Sequence, residues 1–403
     1  MGRQPALGLA ELESLYGAAD VVPFGNIAAT LRLNETEVDF KRLGGSTRLA
    51  NVLGEVDSSN WKAVEKALRP ALLHAVRDFP EGKVKLGISV YGLKVSPAVV
   101  TAAGLTLKKA LRSAGRSART VPNVELELNT AQVQHNALDG PLGCELLCVS
   151  NGTKTIIAHT VAVQDLASYT LRDRGRPKRD ARVGMLPPKL AQIILNLAVG
   201  NEKRKTKNEK QVILDPFCGT GVVLQEALLM GYDVEGTDLE PRMIDYTKTN
   251  LDWLYSQTPD LQPKIISLET GDATTHSWDP KNERQKTKNL IVACETYLGR
   301  PFTTTPIHDV LEQTVSDVNV IIKKFISNIA PQLDSGARLC LAVPAWQIAP
   351  NRFRHLPLIE DLENSPLSRV HFEHVRDADL LYYRSDQIVA RELLVLEKTS
   401  IIL

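Results

Sequence analysis

Strand-like and helix-like segments alternate along the second half of this 403-residue chain, and this alternation restricts the fold more than any other feature. Five apolar runs, separated by polar or helix-like segments, lie at residues 212–217, 232–239, 265–268, 290–294 and 338–343. Strands that alternate with helices are typical of a parallel sheet covered on both faces. We therefore expect a doubly wound, Rossmann-like α/β domain, with an antiparallel pair of strands around residues 384–386 at its edge.

The first half of the chain has a different pattern. Residues 84–93 and the alternating run 124–128 predict strands, and the apolar spacing of residues 99–114 predicts a helix. Asn151-Gly152 stands between two apolar runs, which is typical of a tight hairpin turn. The first half is therefore predicted to be α/β with a mixed sheet.

The composition is that of a soluble globular protein, with 43% hydrophobic and 24% charged residues. The chain has no apolar run of membrane-spanning length, and its first ten residues do not resemble a secretory signal, so we expect a cytoplasmic protein that does not contact a membrane. Five cysteines and eight histidines show no metal-binding spacing, so no metal is expected. The sequence gives no indication of oligomeric state.

Positive charge is concentrated in the first half. Residues 1–184 contain 24 basic and 18 acidic side chains, and residues 172–182 alone contain six basic ones. Such a segment is either a solvated loop or a contact for a polyanion. Its many arginines favour the polyanion contact, because the planar guanidinium group matches the geometry of phosphate. We predict three regions: a basic region at 1–171 suited to a polyanion, an exposed basic linker at 172–184, and a second domain at 185–403.

The residues with the clearest chemical meaning are Asp215 to Gly221, DPFCGTG, where a predicted strand gives way to a helix. In an open α/β sheet this point faces the ligand crevice, and the glycines let a ligand approach the backbone. Leu224 stands where a dinucleotide motif would have its third glycine. Asp238 ends the next strand, where a carboxylate can bind ribose hydroxyls, and Asp272 follows the third strand. This arrangement fits an adenosine without a pyrophosphate, such as S-adenosylmethionine.

The segments DPFCGTG, GTDL and GDA resemble the class I methyltransferases that modify exocyclic amino groups of nucleic acids. This resemblance implies that Asp215 and the glycine loop hold the methionine end of S-adenosylmethionine, that Asp238 holds the ribose, and that Asp272 holds the adenine amine. The implied cofactor-binding residues are Asp215, Phe217, Gly219, Thr220, Gly221, Asp238, Leu239, Asp272 and Ala273.

A second resemblance lies upstream, where Arg176-Pro177 and Met185 to Ala191 are similar to the segment before the glycine loop in THUMP-containing tRNA guanine-N2 methyltransferases. It implies that the first half is a THUMP-like domain with a ferredoxin-like extension, and that the substrate is tRNA. The basic side chains expected to hold its phosphates are Lys108, Lys109, Arg112, Arg116, Arg119, Arg172, Arg174, Arg176, Lys178 and Arg179.

The segment after the fourth strand departs from this family. The family has an acidic or Asn residue followed by Pro-Pro-aromatic, whereas this chain has Cys294-Glu295-Thr296-Tyr297-Leu298-Gly299. Aligning on the glycine assigns the amine-binding position to Glu295, and aligning on the aromatic residue assigns it to Cys294. We expect Glu295 to accept the target amine and Tyr297 to stack on the base, although an ion-paired Glu or a packing Tyr would also suit the pattern.

These observations together predict an S-adenosylmethionine-dependent methyltransferase acting on the N2 amine of a guanosine in tRNA. Two alternatives fit the same glycine loop. One is a methyltransferase for another RNA or DNA base, and the other is an inactive RNA-binding protein that keeps the cofactor site, for which the altered segment 294–299 is the main support.

Overall fold

A computed structural model describes residues 1–180, 186–201, 211–278, 290–302, 304–360 and 367–399. The chain forms two compact units. The first unit contains Met1–Pro5, Ala19–Lys41 and Ser46–Ser168, and the second contains Ala6–Ala18, Arg42–Gly45 and Tyr169–Leu403. Within the described residues, no helix combines the length and the hydropathy needed to cross a membrane.

The first unit is built on a five-stranded mixed sheet. Its elements in chain order are β1 (Val21–Phe24), β2 (Ala28–Leu31), β3 (Arg48–Val56), α2 (Trp61–Ala75), β4 (Val84–Tyr91), α3 (Pro97–Ser113), β5 (Ala118–Thr120), α4 (Thr130–His135), β6 (Gly143–Ser150) and β7 (Thr155–Val163). The sheet order is β3-β7-β6-β4-β5, with β4 parallel to β5 and β6 and the other pairs antiparallel. This confirms the predicted mixed α/β architecture, including the hairpin at Asn151-Gly152.

The apolar faces of α2 and α3 cover one face of this sheet. Leu68 and Leu72 of α2 and Leu107 and Leu111 of α3 join a buried cluster that includes Cys144 and Cys148 of β6. Both thiols are fully buried, and burial raises the pKa of each to about 12. The two cysteines are therefore core residues.

The strand predicted at residues 124–128 is not formed. Val124 is 76% exposed, and the short strand β5 takes the edge position beside β4. The Asn123 side chain donates to the carbonyl oxygens of Ile88, Glu125 and Leu126. These bonds replace ladder bonds and keep the segment irregular, which apolar alternation alone does not reveal.

The second unit is built on a nine-stranded sheet. Its elements are α1 (Pro5–Tyr16), α5 (Leu166–Arg174), α6 (Pro188–Val199), β8 (Val212–Asp215), α7 (Val222–Leu229), β9 (Asp233–Asp238), α8 (Pro241–Gln257), β10 (Ile265–Thr270), β11 (Leu290–Glu295), α9 (His308–Ile329), β12 (Arg338–Ala349), β13 (Arg352–Arg354), β14 (Leu367–Arg369), β15 (Leu381–Tyr382) and β16 (Val389–Lys398). The order β10-β9-β8-β11-β12-β16-β14 runs parallel from β10 to β12. The predicted Rossmann-like fold is thus confirmed.

Alternate residues of the central strands serve two separate cores. Ile213 of β8 packs in the cluster formed with α6, α7 and α8, whereas the next residue, Leu214, packs in the cluster formed with α9. Helices therefore cover both faces of the sheet, and ligand access is confined to its edges, where the parallel strands end.

The antiparallel pair predicted around residues 384–386 at the sheet edge is confirmed, since β15 and β16 pair antiparallel beyond β12. On its outer side β16 also pairs with the short strand β14. Because β14 is only three residues long, its weak pattern gives no sequence signal that β16 has a second neighbour.

The N-terminal helix α1 contributes to the second unit, although the sequence analysis grouped residues 1–171 together. Leu7 and Ala10 join the cluster around α6. The buried Glu11 carboxylate accepts hydrogen bonds from the amides of Gly44 and Gly45, each at 2.9 Å. Burial raises the pKa of Glu11 to about 7.

The basic segment 172–184 is not a continuous exposed linker. It is helical as far as Arg174, and the side chain of Arg176 is buried. Asn250 of α8 holds Lys178 through hydrogen bonds with both its backbone amide and its carbonyl, each at 2.9 Å. Residues 181–184 of the predicted linker, and most of the charged stretch 201–210, lie outside the described residues.

Candidate functional site

A cavity of about 850 Å³ opens where β8, β9, β10 and β11 end. Because these strands are parallel, their carboxyl ends meet at one edge of the sheet. The predicted site residues that line this cavity are Asp215, Phe217, Gly219, Thr220, Asp238, Leu239, Asp272, Ala273, Glu295 and Tyr297. Cys294, the alternative amine-binding residue, is fully buried and packs in the core.

The glycine loop between β8 and α7 is held by hydrogen bonds on several sides. The Gly219 amide donates to Asp238 at 2.9 Å, and the Thr247 hydroxyl donates to the Gly219 carbonyl at 2.8 Å. Gly221 has φ +82°, and a Cβ atom there would lie 2.9 Å from Thr247. Gly221 does not line the cavity itself, but its conformation sets the path of the loop that does.

The contact between Leu224 and Gly236 explains why the third glycine of a dinucleotide motif is missing. Leu224 lies on α7 and faces Gly236 of β9, where a Cβ atom would be 2.6 Å from the leucine side chain. The strand therefore supplies the glycine that allows the helix and the strand to pack closely, and the helix carries the larger residue.

Two carboxylates stand at the ends of β8 and β9. Asp215 is 2% exposed and accepts a hydrogen bond from the Phe217 amide at 3.0 Å. Burial, together with the nearby carboxylates of Asp238 and Glu295, raises the pKa of Asp215 well above its ordinary value. Asp238 accepts from the Gly219 and Glu240 amides, and burial also raises its pKa. This side of the cavity therefore favours a cationic ligand.

Asp272 follows β10 at the outer side of the cavity and is exposed. Its Oδ1 atom accepts hydrogen bonds from both the amide and the hydroxyl of Thr274, each at 2.8 Å. These bonds lower the pKa of Asp272, so the group is a carboxylate near neutral pH. An ionised, fixed acceptor at this place can bind an amino group.

The segment after β11 forms the other side of the cavity. Glu295 accepts a hydrogen bond from Nε of Arg391 at 2.8 Å, and its side chain is 15% exposed. Tyr297 is 46% exposed, so its ring is accessible to a ligand. Gly299 has φ +82° and turns the chain beside Thr314 and Val318 of α9. The loop thus presents one carboxylate and one aromatic ring without the two prolines of the resembled family.

Several lining residues were not predicted from the sequence: Glu240, Arg242, Met243, Arg300 and Lys324. Glu240 could have been found, since it directly follows Asp238-Leu239 and precedes the helix-starting Pro241. Arg300 donates to the Thr314 hydroxyl at 3.2 Å, and Lys324 lies on α9 near Asp272. Arg391, the partner of Glu295, was also missed because no local motif marks it.

The ten predicted phosphate-binding residues fall into two groups, seven that are accessible to solvent and three that are bonded to other parts of the protein. The exposed ones are Lys109, Arg112, Arg119, Arg174, Lys178 and Arg179, and Lys108 is half-buried. These seven assignments stay predictions.

Three of the predicted phosphate-binding arginines form hydrogen bonds or ion pairs with other residues of the protein. Arg116 donates to the carbonyl oxygens of Val76 and Phe79, and Arg172 forms an ion pair with buried Glu226 at 2.8 Å. Arg176 is 3% exposed and donates to Thr220 at 3.3 Å. We therefore withdraw Arg116, Arg172 and Arg176 from the predicted phosphate-binding set.

Curated relatives match this chain over short segments. A tRNA (guanine(10)-N2)-dimethyltransferase from Methanocaldococcus jannaschii is 32% identical over 117 residues, which is 29% of this chain and 30% of that protein. The enzyme of the same name from Pyrococcus abyssi is 40% identical over 89 residues, 22% of each chain, and the one from Methanothermobacter thermautotrophicus is 44% identical over 68 residues, 17% of this chain and 18% of that protein. The chain thus matches less than a third of the length of each of these three relatives.

Solved structures resemble the chain over greater lengths at low identity. TrmN from Thermus thermophilus aligns over 98% of this chain and 96% of its own, with 15% identity and a TM-score of 0.49. A predicted N6-adenine-specific DNA methylase from Listeria monocytogenes aligns over 86% of this chain and 82% of its own, with 12% identity and a TM-score of 0.41. No protein-family model matches the sequence.

Proposed function

We propose that this protein is an S-adenosylmethionine-dependent methyltransferase that modifies the exocyclic N2 amine of a guanosine in tRNA. The observation that carries the proposal is the convergence of the glycine loop, Asp215, Asp238, Asp272 and Glu295 on one cavity at the carboxyl ends of four neighbouring parallel strands. The short matches to tRNA (guanine(10)-N2)-dimethyltransferases support both the chemistry and the class of substrate.

The charge of the cavity suits S-adenosylmethionine. The carboxylates of Asp215, Asp238 and Glu295 interact electrostatically across its inner side. Asp215 and Asp238, whose pKa values are raised by burial, are more easily ionised when a positive charge lies near them, and the cofactor carries a sulfonium and an ammonium group. The glycine loop admits the methionine part close to the backbone, Asp238 can accept ribose hydroxyls, and Asp272 can accept the adenine amine.

Glu295 and Tyr297 would act on the target base. The bound cofactor supplies an activated methyl group, so the protein has to orient the amine and remove charge from it. An exocyclic amine is a weak nucleophile because its lone pair is delocalised into the ring. A carboxylate at Glu295 accepts a hydrogen bond from that amine and stabilises the positive charge that develops on it. The exposed ring of Tyr297 can stack on a base that has left its helix.

The exposed cations that would bind RNA phosphates are Lys109 and Arg112 of α3, Arg174 at the end of α5, and Lys178 and Arg179 in the segment after α5. Contacts with phosphate release counterions, so RNA binding should weaken steeply as salt is added. The first unit is accordingly assigned to RNA binding in this proposal.

The test is methyl transfer from labelled S-adenosylmethionine to unmodified tRNA, with the nucleosides separated and identified by mass spectrometry. We expect N2-methylguanosine or N2,N2-dimethylguanosine. A different methylated nucleoside would retain the cofactor assignment and overturn the assigned target. Cofactor binding without transfer to any RNA would favour the binding-only alternative.

A further inference from the structure

We propose that Arg391 is a positioning residue that fixes the Glu295 carboxylate in the orientation needed to accept the target amine. This inference rests on the proposed function and goes beyond it, because it assigns the geometry of the amine-binding site to a side chain 96 positions away in the sequence.

The strand register brings the two residues to the same face of the sheet. Glu295 of β11 lies beside Ala342 of β12, and Arg391 of β16 lies opposite Pro344 of β12. Ala342 and Pro344 are two residues apart on one strand, so their side chains share a face. Both are short, so the Arg391 side chain can cross β12 to reach Glu295.

The pair stands at the point where this face changes from apolar to charged. The preceding residues on the same face of β11, β12 and β16, including Ala293, Ala342 and Leu393, belong to the buried core. Glu295 and Arg391 come next toward the carboxyl ends of the parallel strands, where the cavity begins. A charged pair there does not contribute to packing, and replacement by apolar residues would be the more stable choice for a purely structural position.

The contacts of Arg391 leave part of Glu295 available to a ligand. Nε of Arg391 donates to Oε1 of Glu295, while Nη1 of Arg391 donates to Gln387 and to the Val389 carbonyl, each at 3.4 Å. Among the residues that the structure describes, Oε2 of Glu295 has no hydrogen-bond donor. The arginine side chain is 7% exposed, so it is fixed on all sides, and the carboxylate is held by one oxygen with the other free for the amine.

The orientation matters because Glu295 must keep the amine aligned with the methyl donor. A displacement of a reacting group by ~1 Å can lower a rate about 100-fold. The guanidinium also places a positive charge next to the Glu295 carboxylate, which lies near the carboxylate of Asp215. Arg391 thus supports the reaction without touching the substrate.

The experiment is a double-mutant cycle on methyl transfer to tRNA, with Arg391→Met, Glu295→Gln and the double variant. We expect Arg391→Met to lower kcat on the order of 100-fold with little change in the KM for S-adenosylmethionine. We expect the double variant to be no slower than Glu295→Gln, since Arg391 acts through Glu295. Arg391→Lys keeps the charge without the planar fork and should lie between wild type and Arg391→Met.

Arg369→Met is the matched control. Arg369 lies on β14 of the same sheet, and its side chain is 14% exposed. Its Nε atom pairs with Asp377 Oδ2 at a distance of 3.2 Å, and neither residue lines the cavity. This variant should keep wild-type turnover. Thermal melting and cofactor binding of every variant show whether it is folded. If Arg391→Met does not fold, the turnover of Arg391→Lys tests the inference instead.

Three outcomes decide the inference. Turnover by Arg391→Met equal to wild type would overturn it, and so would losses that multiply in the double variant, which would show an independent structural effect. Failure of the wild-type protein to methylate any tRNA would overturn the proposed function itself, and this inference with it.

Discussion

The two sides of the cavity are built by different means. The side proposed to bind the cofactor (the cofactor side) is held by backbone amides within residues 215–240: the Asp215 carboxylate accepts from Phe217, and Asp238 accepts from Gly219 and Glu240. On the side proposed to bind the target base (the target side), the Glu295 carboxylate is held by Arg391, 96 positions away in the sequence, and the ring of Tyr297 is exposed. The cofactor side is therefore fixed by local sequence, whereas the target side depends on distant parts of the sheet.

This difference indicates which side of the cavity can change its substrate specificity without loss of the fold. The glycine loop is constrained by positive φ angles and by close contacts with Thr247, so few substitutions fit there. In the target loop, Gly299 supplies a turn with a positive φ angle, and the Glu295 carboxylate is oriented from another strand. A chain can therefore keep its cofactor site while its target site diverges.

The largest expected effect is on the target side. Replacement of Glu295 by Gln keeps the shape but removes the charge, so turnover should fall on the order of 100-fold to 1,000-fold. Cofactor affinity, measured by calorimetry, should stay within about twofold of the wild-type value. We expect the uncharged isostere to change the free energy of cofactor binding by less than ~0.4 kcal/mol. Unchanged turnover would show that Glu295 is not the amine acceptor.

The next effect is on the cofactor side. Gly221→Ala places a Cβ atom 2.9 Å from Thr247 at φ +82°, so the glycine loop has to shift. Strain of about 1–3 kcal/mol should lower cofactor affinity by roughly 5-fold to 160-fold. Gly231→Ala is the matched control, because Gly231 has φ +94° but no neighbouring atom within 4 Å of the added Cβ. Equal losses of cofactor affinity in both variants would contradict the role of the Thr247 contact.

A smaller effect is expected from the exposed ring of Tyr297. Loss of a base–aromatic stack is worth about 1–3 kcal/mol, so Tyr297→Ala should lower kcat/KM for tRNA by at least roughly fivefold. Tyr297→Phe keeps the ring and should be close to wild type. If Tyr297→Phe loses as much as Tyr297→Ala, the hydroxyl rather than the stack is responsible.

The smallest effect concerns the pH dependence of cofactor binding. The pKa of Asp215 is raised by burial, so its protonated, neutral form persists above the ordinary value of 3.8. As pH rises through the raised pKa, Asp215 becomes anionic and attracts the cationic cofactor more strongly. Affinity should therefore increase with pH by about fivefold, or ~1 kcal/mol for one charge contact. Asp215→Asn should remove this increase, and persistence of the increase would assign it to another group.

The sequence could predict the second unit because its signals are local. The strands and helices follow from apolar periodicity, and Asp215, Gly219 and Asp238 follow from sequence motifs. In the structure the Phe217 amide donates to Asp215 and the Gly219 amide donates to Asp238. Asp272 and Glu295 were placed by their position after a strand, and both line the cavity.

The remaining features depend on contacts between distant residues. Arg391 reaches Glu295 across β12, and helix α1 joins the second unit through Glu11, Gly44 and Gly45, which no single segment reveals. The mistaken strand at 124–128 has the same origin, because Asn123 forms bonds with Ile88 of another segment. The local charge density also gives no sign that Arg176 is buried, because its burial depends on tertiary packing.

The most direct test of the account is the removal of one amino group from the substrate. Once the modified guanosine has been mapped, a tRNA carrying inosine at that position lacks only the N2 amine there. We predict that this tRNA competes with unmodified tRNA for binding but receives no methyl group. Methylation of the inosine-containing tRNA at the same nucleotide would contradict the claim that Glu295 and this cavity act on a guanine amine.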